Sequence, residues 1–203
     1  MKRILILFAH PALEKSRVNL HLCRAVRHLD DVTFHDLYEI YPEFDVDVAR
    51  EQKLLVEHDI VVLQHPFYWY STPALIKEWE DLVLEHGWAY GDGGTALEGK
   101  QLICAISAGG NEAAYCAEGQ NRFTVRQLLA PIEQTSRLCG MEFLPPFVIH
   151  GTHALTERAI LGCAEEYRQL IEALRDERLD LARVRGLARI NDDLAGLFAG
   201  RGK

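Results

Sequence analysis

The chain has 203 residues, of which 48% are hydrophobic, and a formal net charge of −8 at pH 7. This length supports one substantial hydrophobic core, and the mixing of acidic with basic residues leaves no broad basic face for a nucleic acid. The apolar runs are far shorter than the roughly 20 residues that span a bilayer, and Met1 leads directly into a strand pattern, so a cytoplasmic protein is expected.

Strand-like and helix-like segments alternate along the chain. Short apolar runs predict strands at residues 4–9, 32–37, 60–63, 102–106 and 143–149. Helical periodicity predicts helices at residues 16–29, 46–57, 74–84 and 125–139, the first of them capped by Ser16, and residues 38–45 are expected to form a loop. This succession of βα units favours a doubly wound parallel sheet with helices on both faces.

The end of the chain, residues 179–203, is expected to form a helical C-terminal extension to a domain at residues 1–178. Apolar residues recur at helical spacing between residues 179 and 198, although Gly186 and Asn191 interrupt the pattern. Three fates stay open for this extension, which are packing on its own domain, docking on a partner, and fraying.

The five cysteines are scattered and form no Cys-x-x-Cys pair, which argues against a disulfide framework and against a zinc knuckle. Most of them are expected to be buried thiols. Cys116 lies in a polar loop, so it is the one cysteine that is expected to be exposed and that is a candidate for a redox role.

The loop after the first predicted strand carries groups that suit a phosphate. Residues 10–19 lead into a helix whose first N–H groups have no partner within the helix and whose dipole favours an anion. His10, Ser16 and Asn19 could add hydrogen bonds to these backbone donors. An ordinary helix cap with a hydrogen-bonded histidine explains the same residues equally well, because the segment is neither a Gly-x-Gly-x-x-Gly fingerprint nor a P-loop.

The loop after the third predicted strand is aromatic. Tyr68, Trp69 and Tyr70 cannot all enter one core, so some of these rings are expected to cover something else. An isoalloxazine ring is large, flat and partly apolar, and it suits such a seat. A hydrophobic patch for self-association is the competing interpretation, and the two agree if a cofactor lies at a dimer interface.

The loop after the fourth predicted strand contains Gly109 and Gly110, which would allow the backbone to approach a ligand closely and to adopt positive φ angles. Its amide groups and Tyr115 are candidates for stabilising the charge that develops as a hydride arrives. The carboxyl ends of parallel strands meet at one edge of a sheet. The three loops together therefore predict a site for a phosphorylated aromatic cofactor at that edge.

Several short motifs occur in the order known from one protein family. They are Phe8-Ala9-His10-Pro11, His35-Asp36-Leu37-Tyr38, Tyr41-Pro42-Glu43-Phe44, Gln64-His65-Pro66, Tyr70-Ser71, Pro73-Ala74-Leu75-Ile76-Lys77-Glu78-Trp79, His86-Gly87-Trp88-Ala89-Tyr90-Gly91 and Leu144-Pro145-Pro146. With these motifs, the sequence resembles the flavodoxin-like NAD(P)H:quinone oxidoreductases from about residue 3 to residue 167. Among them it resembles most closely the ancillary flavoproteins of bacterial glutathione-gated potassium-efflux systems.

The resemblance implies a flavodoxin-like sheet of five parallel strands in the order 2-1-3-4-5. It also implies a homodimer that binds FMN, rather than FAD, near the subunit interface and that reduces quinones with NADH or NADPH. The sequence leaves the choice between NADH and NADPH open. The family's contacts to the flavin phosphate fall on His10, Ser16, Arg17, Val18 and Asn19, and its contacts to the ring fall on Phe67, Tyr68, Trp69, Tyr70, Ser107, Ala108, Gly109 and Gly110.

The catalytic residues that the resemblance implies are Tyr115, Gly109 and Gly110. Ala108 replaces the family's usual threonine, which removes a hydroxyl contact and keeps the backbone contacts. The broader family has a histidine beyond the glycine pair. No histidine occurs here between His86 and His150, so hydride transfer is expected to rely on the flavin and the backbone alone.

The expected reaction has two half-reactions at one site, in which a reduced nicotinamide passes a hydride to the flavin and a quinone then takes its place, so that the kinetics are ping-pong. The alternative is a regulatory subunit that activates a membrane potassium-efflux transporter, held at the inner membrane by that partner, with its redox activity secondary. A metal enzyme built on His150 and His153 is disfavoured, because no carboxylate or cysteine lies at ligand spacing. No metal is predicted.

Overall fold

The computed structural model describes residues 1–197, which form a parallel sheet with helices on both faces. The strands are β1 (Ile4–Phe8), β2 (Val32–Asp36), β3 (Ile60–Pro66), β4 (Gln101–Ser107), β5 (Glu142–Phe143) and β6 (Phe147–Ile149). Their order is β2-β1-β3-β4-β5, and β6 also pairs with β4, so β5 and β6 share the fifth position. The predicted fold and strand order are confirmed.

The helices follow the strands along the chain. They are α1 (Arg17–Val26), α2 (Leu37–Ile40), α3 (Val48–Glu57), α4 (Ala74–Val83), α5 (Val125–Leu128), α6 (Ala130–Leu138), α7 (Glu157–Arg175) and α8 (Leu181–Val184). Within residues 1–197 no helix is long and apolar enough to cross a membrane.

The central strands separate two hydrophobic layers. Every residue of β1 and of β3 is buried, as is usual for parallel strands covered on both faces. Successive side chains of a strand point to opposite faces. Ile6 therefore packs in the layer that contains α1 and α7, and Leu7 packs in the layer that contains α3, α4 and α6.

One polar side chain of β3 ties this strand to both helices of the first layer. Gln64 is fully buried, and its Oε1 accepts a hydrogen bond from the Tyr167 hydroxyl of α7 at 3.0 Å. Its Nε2 donates to Cys23 Sγ of α1 at 3.5 Å. A buried amide without partners would destabilise the fold, so these two bonds make Gln64 a structural residue.

Three predicted elements differ from the structure. The predicted loop at 38–45 overlaps the short helix α2, which begins because Asp36 Oδ1 accepts from the Glu39 N–H at 3.3 Å. The predicted helix at 125–139 is broken at Leu129 into α5 and α6, where Pro131 stands in the first turn of α6. The predicted strand at 143–149 is two short strands, because Pro145 and Pro146 lack the N–H groups that a ladder needs.

The C-terminal extension forms α8 and two single 3-10 turns, Ile190–Asp192 and Leu194–Leu197, rather than one long helix. Its apolar residues Val184, Ile190, Leu194 and Leu197 are buried in the layer of α1 and α7. The described part of the extension thus packs on its own domain. Residues 198–203, which include the end of the predicted helical pattern at Phe198, lie outside the described residues, and the boundary at residue 178 stays a prediction.

The layer that contains α3 encloses an ionised carboxylate. Glu51 is fully buried, and its Oε1 accepts from the Tyr41 hydroxyl at 2.5 Å and from His35 Nε2 at 2.8 Å, while its Oε2 accepts from the Trp79 indole N–H at 2.9 Å. Burial alone would raise the pKa of Glu51, but the three hydrogen bonds outweigh it and hold that pKa below its ordinary value. The network therefore links β2, α3 and α4.

Replacing Glu51 by Ala should lower the free energy of unfolding by about 3–5 kcal/mol, because three buried donors lose their acceptor. Urea denaturation measures this loss. Glu57→Ala on the same helix is the control, since the Glu57 side chain is 38% exposed and its ion pairs should contribute about 1 kcal/mol or less. Equal losses in the two variants would contradict the assigned role of Glu51.

Candidate functional site

A cleft of about 380 Å³ opens at the carboxyl edge of the sheet. The loops after β1, β3 and β4 form it, together with the residues that follow β6. This volume lies in the range of small-molecule sites. The predicted residues that line it are His10, Ser16, Arg17, Val18, Asn19, Phe67, Tyr68, Ser107 and Gly109.

Hydrogen bonds at the start of α1 leave a hydroxyl available to a ligand. Ser16 caps the helix, as predicted, and its Oγ accepts from the Asn19 N–H and from Asn19 Nδ2, both at 3.1 Å. Since Ser16 Oγ accepts two hydrogen bonds, its own proton is free to be donated to an anion. The backbone N–H groups of Arg17 and Val18 belong to the first turn of α1 and have no acceptor within the helix.

Asn19 connects the first loop to the third. Its Nδ2 also donates to Ser107 Oγ at the end of β4, at 2.9 Å. The Asn19 side chain is buried, and its Oδ1 has no hydrogen-bond partner among residues 1–197. Burying a carbonyl oxygen without a hydrogen-bond partner is energetically unfavourable. Asn19 Oδ1 is therefore a candidate to accept a hydrogen bond from a ligand.

His10 presents an N–H group rather than a charge. The Ala12 N–H donates to His10 Nδ1 at 3.1 Å, so the ring proton of the neutral imidazole resides on Nε2. Burial lowers the pKa of His10, and the nearby Glu14 only partly opposes this effect. The His10 ring meets the Tyr68 ring edge-on, with centroids 5.9 Å apart, which brings the first two loops into contact.

The charge lining the cleft is positive, although the chain as a whole carries −8. Lys15 and Arg17 lie at its exposed rim, and Arg17 Nη2 donates to the Leu155 carbonyl at 3.1 Å. Within the described part of the chain, no Asp or Glu lines this cleft. The site therefore favours an anion near the N-terminus of α1.

The aromatic loop after β3 is a tight and strained turn. The Phe67 N–H donates to the Ser107 carbonyl at 2.8 Å, which ties the buried Phe67 to β4. The Ser71 N–H donates to the Tyr68 carbonyl at 3.0 Å, and the two residues between them have positive φ angles, 51° for Trp69 and 64° for Tyr70. These are the angles of a type I′ turn, which Asn and Gly normally occupy.

This turn projects an indole ring away from the protein. The Trp69 residue is 93% exposed, and Tyr70 donates its hydroxyl proton to Asn121 Oδ1 at 3.2 Å. A bulky residue at positive φ costs about 1–2 kcal/mol. Such strain is usually retained where it serves a site, so the turn is consistent with an exposed aromatic surface beside the cleft.

The glycines of the third loop allow neighbouring side chains to pack closely on its backbone. A Cβ atom on Gly109 would lie 2.8 Å from His153 Nε2, and one on Gly110 would lie 3.0 Å from Tyr115 Cε2. Neither glycine has a positive φ angle, so the expectation that they supply this conformation is wrong. They instead let His153 and Tyr115 pack directly on the backbone.

Tyr115 has a histidine beside it after all. His150 follows β6, and its ring centroid lies 5.3 Å from that of Tyr115. The ring centroid of Phe67 lies 6.2 Å from that of Tyr115. Burial raises the pKa of Tyr115 and lowers the pKa of His150, so both rings are neutral at pH 7. The prediction that only the flavin and the backbone are available there is therefore incomplete, because the histidine arrives from a different strand.

Four predicted contact residues and the predicted catalytic residue Tyr115 do not line the cleft. Trp69 and Tyr70 lie in the neighbouring turn, Ala108 is fully buried, and Gly110 lies against Tyr115. Conversely, Lys15, Thr152 and His153 line the cleft without having been predicted as ligand contacts. Thr152 and His153 follow the last strand, so the rule that ligands bind at the carboxyl edge could have identified them.

No cysteine lines the cleft within the described residues. Cys23, Cys104 and Cys139 are buried, whereas Cys116 and Cys163 are partly exposed. Cys116 Sγ lies 3.4 Å from the Ala113 carbonyl oxygen, and its redox role stays a prediction. Within residues 1–197 no group of three or more His, Cys, Asp or Glu residues is placed to hold a metal ion.

Comparison of the sequence with known proteins identifies its family. The protein family described as having a flavodoxin-like fold matches residues 2–171. YrkL of Bacillus subtilis, an uncharacterized NAD(P)H oxidoreductase, is 45% identical over 171 residues, which are 84% of this chain and 98% of YrkL. KefF of Enterobacter, an ancillary protein of a glutathione-regulated potassium-efflux system, is 42% identical over 82% of this chain and 93% of its own length.

Solved structures of two relatives are similar to this chain. General stress protein 14 of Treponema denticola, solved in complex with FMN, is 41% identical with a TM-score of 0.81, over 85% of this chain and 99% of that chain. An NADPH-quinone reductase from P. pentosaceus is 34% identical with a TM-score of 0.76, over 83% of this chain and 96% of that chain. The chain therefore belongs to the flavodoxin-like NAD(P)H:quinone oxidoreductase family.

Proposed function

We propose that this protein is an FMN-dependent enzyme that reduces quinones with NADH or NADPH. The observation that carries the proposal is a single cleft with phosphate donors at one end and with aromatic rings and a close backbone at the other. The FMN complex of the Treponema relative and the name of the P. pentosaceus reductase support the same cofactor and the same acceptor class.

The donors of the cleft fit each part of FMN. The first-turn N–H groups of α1, the Ser16 hydroxyl and the Nε2–H of His10 would hold the phosphate, with Lys15 and Arg17 supplying positive charge. The unpartnered Oδ1 of Asn19 would accept a hydrogen bond from a hydroxyl of the ribityl chain. Phe67, Tyr68 and the backbone at Gly109 would border the ring.

Bound FMN would supply two-electron chemistry, accepting a hydride from the nicotinamide and passing electrons to the quinone. The protein's part is to bind flat molecules and to stabilise charge. The Tyr115 hydroxyl, kept protonated by burial, would donate a hydrogen bond to an oxygen anion that develops on the ring system or the quinone. His150, neutral and packed on Tyr115, would hold that ring in place.

A homodimer would complete the site. The Trp69 ring is exposed beside the cleft. Tyr68 and Tyr70 are also exposed in the same turn. Aromatic residues gathered on one surface are typical of interfaces, so a second copy of the chain would cover them and border the flavin.

A regulatory role is the second candidate, and the likeness to KefF is the observation that favours it. In that role the protein would bind a potassium-efflux transporter at the cytoplasmic side of the inner membrane. Co-purification with such a transporter and a changed potassium flux would support regulation. Rapid reduction of quinones by the isolated protein, with no effect on potassium flux, would exclude it as the main task.

The purified protein should be yellow and should release FMN on denaturation. Initial rates with NADPH or NADH and a soluble quinone should give parallel double-reciprocal lines, because both substrates would use one place in turn. Chromatography of the released flavin and steady-state kinetics measure these outcomes. A colourless preparation that takes up no added FMN would refute the proposed function.

Replacing Ser16 by Ala should weaken FMN binding about tenfold, because a donor to the phosphate and the cap of α1 are both lost. Thr156→Ala is the matched control, since Thr156 caps α7 through the Ala159 N–H at 3.3 Å. Both variants should lose about 1 kcal/mol of stability. Fluorescence titration of the apoprotein with FMN separates them, and equal FMN affinities would contradict the phosphate assignment.

Replacing Trp69 by Gly should raise the free energy of unfolding by about 1 kcal/mol or less in dilute solution, because glycine adopts a φ of 51° without strain. The same change should lower quinone reduction severalfold, because the aromatic surface is lost. Glu177→Gly, at a φ of 54°, should give a similar gain in stability with unchanged reduction. Loss of stability in Trp69→Gly without a kinetic change would assign this ring to structure instead.

A further inference from the structure

The C-terminal extension reaches back to the candidate site. The family match ends at residue 171, and the relatives align over nearly their whole lengths without using all of this chain. The extension therefore lies beyond the part of the chain that the family model matches. Within the extension, Ile190 and Asn191 contact the edge strand β6 and the residue before it, and Arg189 contacts the loop that carries Tyr115.

Asn191 fastens the extension to β6. Its Oδ1 accepts from the Val148 N–H at 3.1 Å, and its Nδ2 donates to the Val148 carbonyl at 2.9 Å. The Ile190 N–H donates to the Pro146 carbonyl at 2.9 Å. The Asn191 side chain thus pairs with the backbone N–H and carbonyl of Val148, as a neighbouring strand would. This pairing also fixes the position of Arg189.

Arg189 then crosses from the extension to the third loop. Its Nη2 lies 2.5 Å from Glu112 Oε1 and 2.6 Å from Asp192 Oδ1, and the Asp192 carboxylate also accepts from the Arg189 N–H at 3.1 Å. Asp192 therefore orients the guanidinium from within the extension. The Arg189 side chain is only 21% exposed, which limits the number of orientations it can adopt.

Glu112 transmits this contact to Tyr115. It begins the 3-10 turn Glu112–Ala114, and the Tyr115 N–H donates to the Glu112 carbonyl at 3.0 Å. The Tyr115 ring in turn packs against His150, with the two ring centroids 5.3 Å apart. Arg189, Glu112, Tyr115 and His150 thus form one continuous cluster.

We propose that Arg189 is a positioning residue that uses its ion pair with Glu112 to hold the Tyr115-bearing loop against His150. This inference rests on the proposed function for its kinetic consequence, whereas the structural link does not require it. The Glu112 side chain is 68% exposed, so the pair contributes little to global stability. The ion pair instead acts locally. It keeps the loop that carries Tyr115 ordered and thereby affects the rate of acceptor turnover.

The test compares Arg189→Glu, Glu112→Arg and a charge-exchanged variant that combines both changes with Asp192→Asn. The third change is needed because the Asp192 carboxylate lies 2.6 Å from Arg189 Nη2 and would repel a carboxylate at that position. Arg189→Glu should speed amide hydrogen exchange in residues 111–121 and lower kcat/KM for a soluble quinone about tenfold, with FMN content unchanged. The charge-exchanged variant should restore both quantities to within about twofold of the parent protein, since opposite charges then face each other without a like charge beside them. Absence of this rescue would overturn the proposal.

Arg183→Glu is the matched control. Arg183 pairs with Asp193 at 2.7 Å within the extension and forms no contact with the Tyr115 loop, so it makes the same charge change without the proposed link. It should leave exchange in residues 111–121 and quinone kinetics unchanged, and an effect equal to that of Arg189→Glu would overturn the proposal.

If Arg189→Glu fails to fold, Arg189→Gln is measured in its place, with Arg183→Gln as its control and with the same expected directions. Hydrogen exchange can be measured on the protein without FMN. Absence of flavin or of reductase activity would therefore refute the proposed function while the exchange data still decide the role of Arg189.

Discussion

Parallel pairing of three neighbouring strands is the constraint on which this protein depends. β1 pairs in parallel with β3, and β3 pairs in parallel with β4, so the loops that follow all three strands must emerge at one edge. Phe8 lies opposite Gln64 in this register, and Pro66 lies opposite Ser107. Residues that are more than 90 positions apart in the sequence, such as His10 and Gly109, therefore line one cleft.

Buried polar side chains hold that edge in place. Asn19 bonds both Ser16 at the start of α1 and Ser107 at the end of β4, and Gln64 bonds Tyr167 and Cys23 on the two helices behind β3. Buried amides specify geometry more strictly than apolar side chains do, because each lost partner leaves an unsatisfied polar atom. The donors around the cleft are consequently pre-arranged for an anion.

The C-terminal extension adds contacts to the sheet edge at β6 and to the loop that carries Tyr115. By covering β6 with Asn191 and contacting Glu112 through Arg189, it adds a second support to the loop that carries Tyr115. A loop that projects from a sheet edge has few contacts of its own, so a small number of added bonds can change its order more than they change global stability.

Local sequence determined the elements whose signals are local. The apolar runs of β1 and β3 and the cap at Ser16 could be read from neighbouring residues, because periodicity and capping act over a few positions. The positive φ angles of Trp69 and Tyr70 could not, because they oppose the local preference of bulky residues. The division of residues 143–149 by Pro145 and Pro146 was also present in the sequence, although the apolar run concealed it. Only the tertiary structure placed His150 beside Tyr115, gave Asn19 its bond to Ser107 and brought Arg189 to Glu112. These contacts join residues that are 35, 88 and 77 positions apart, and their existence depends on strand order, register and the path of the extension, which no local pattern encodes.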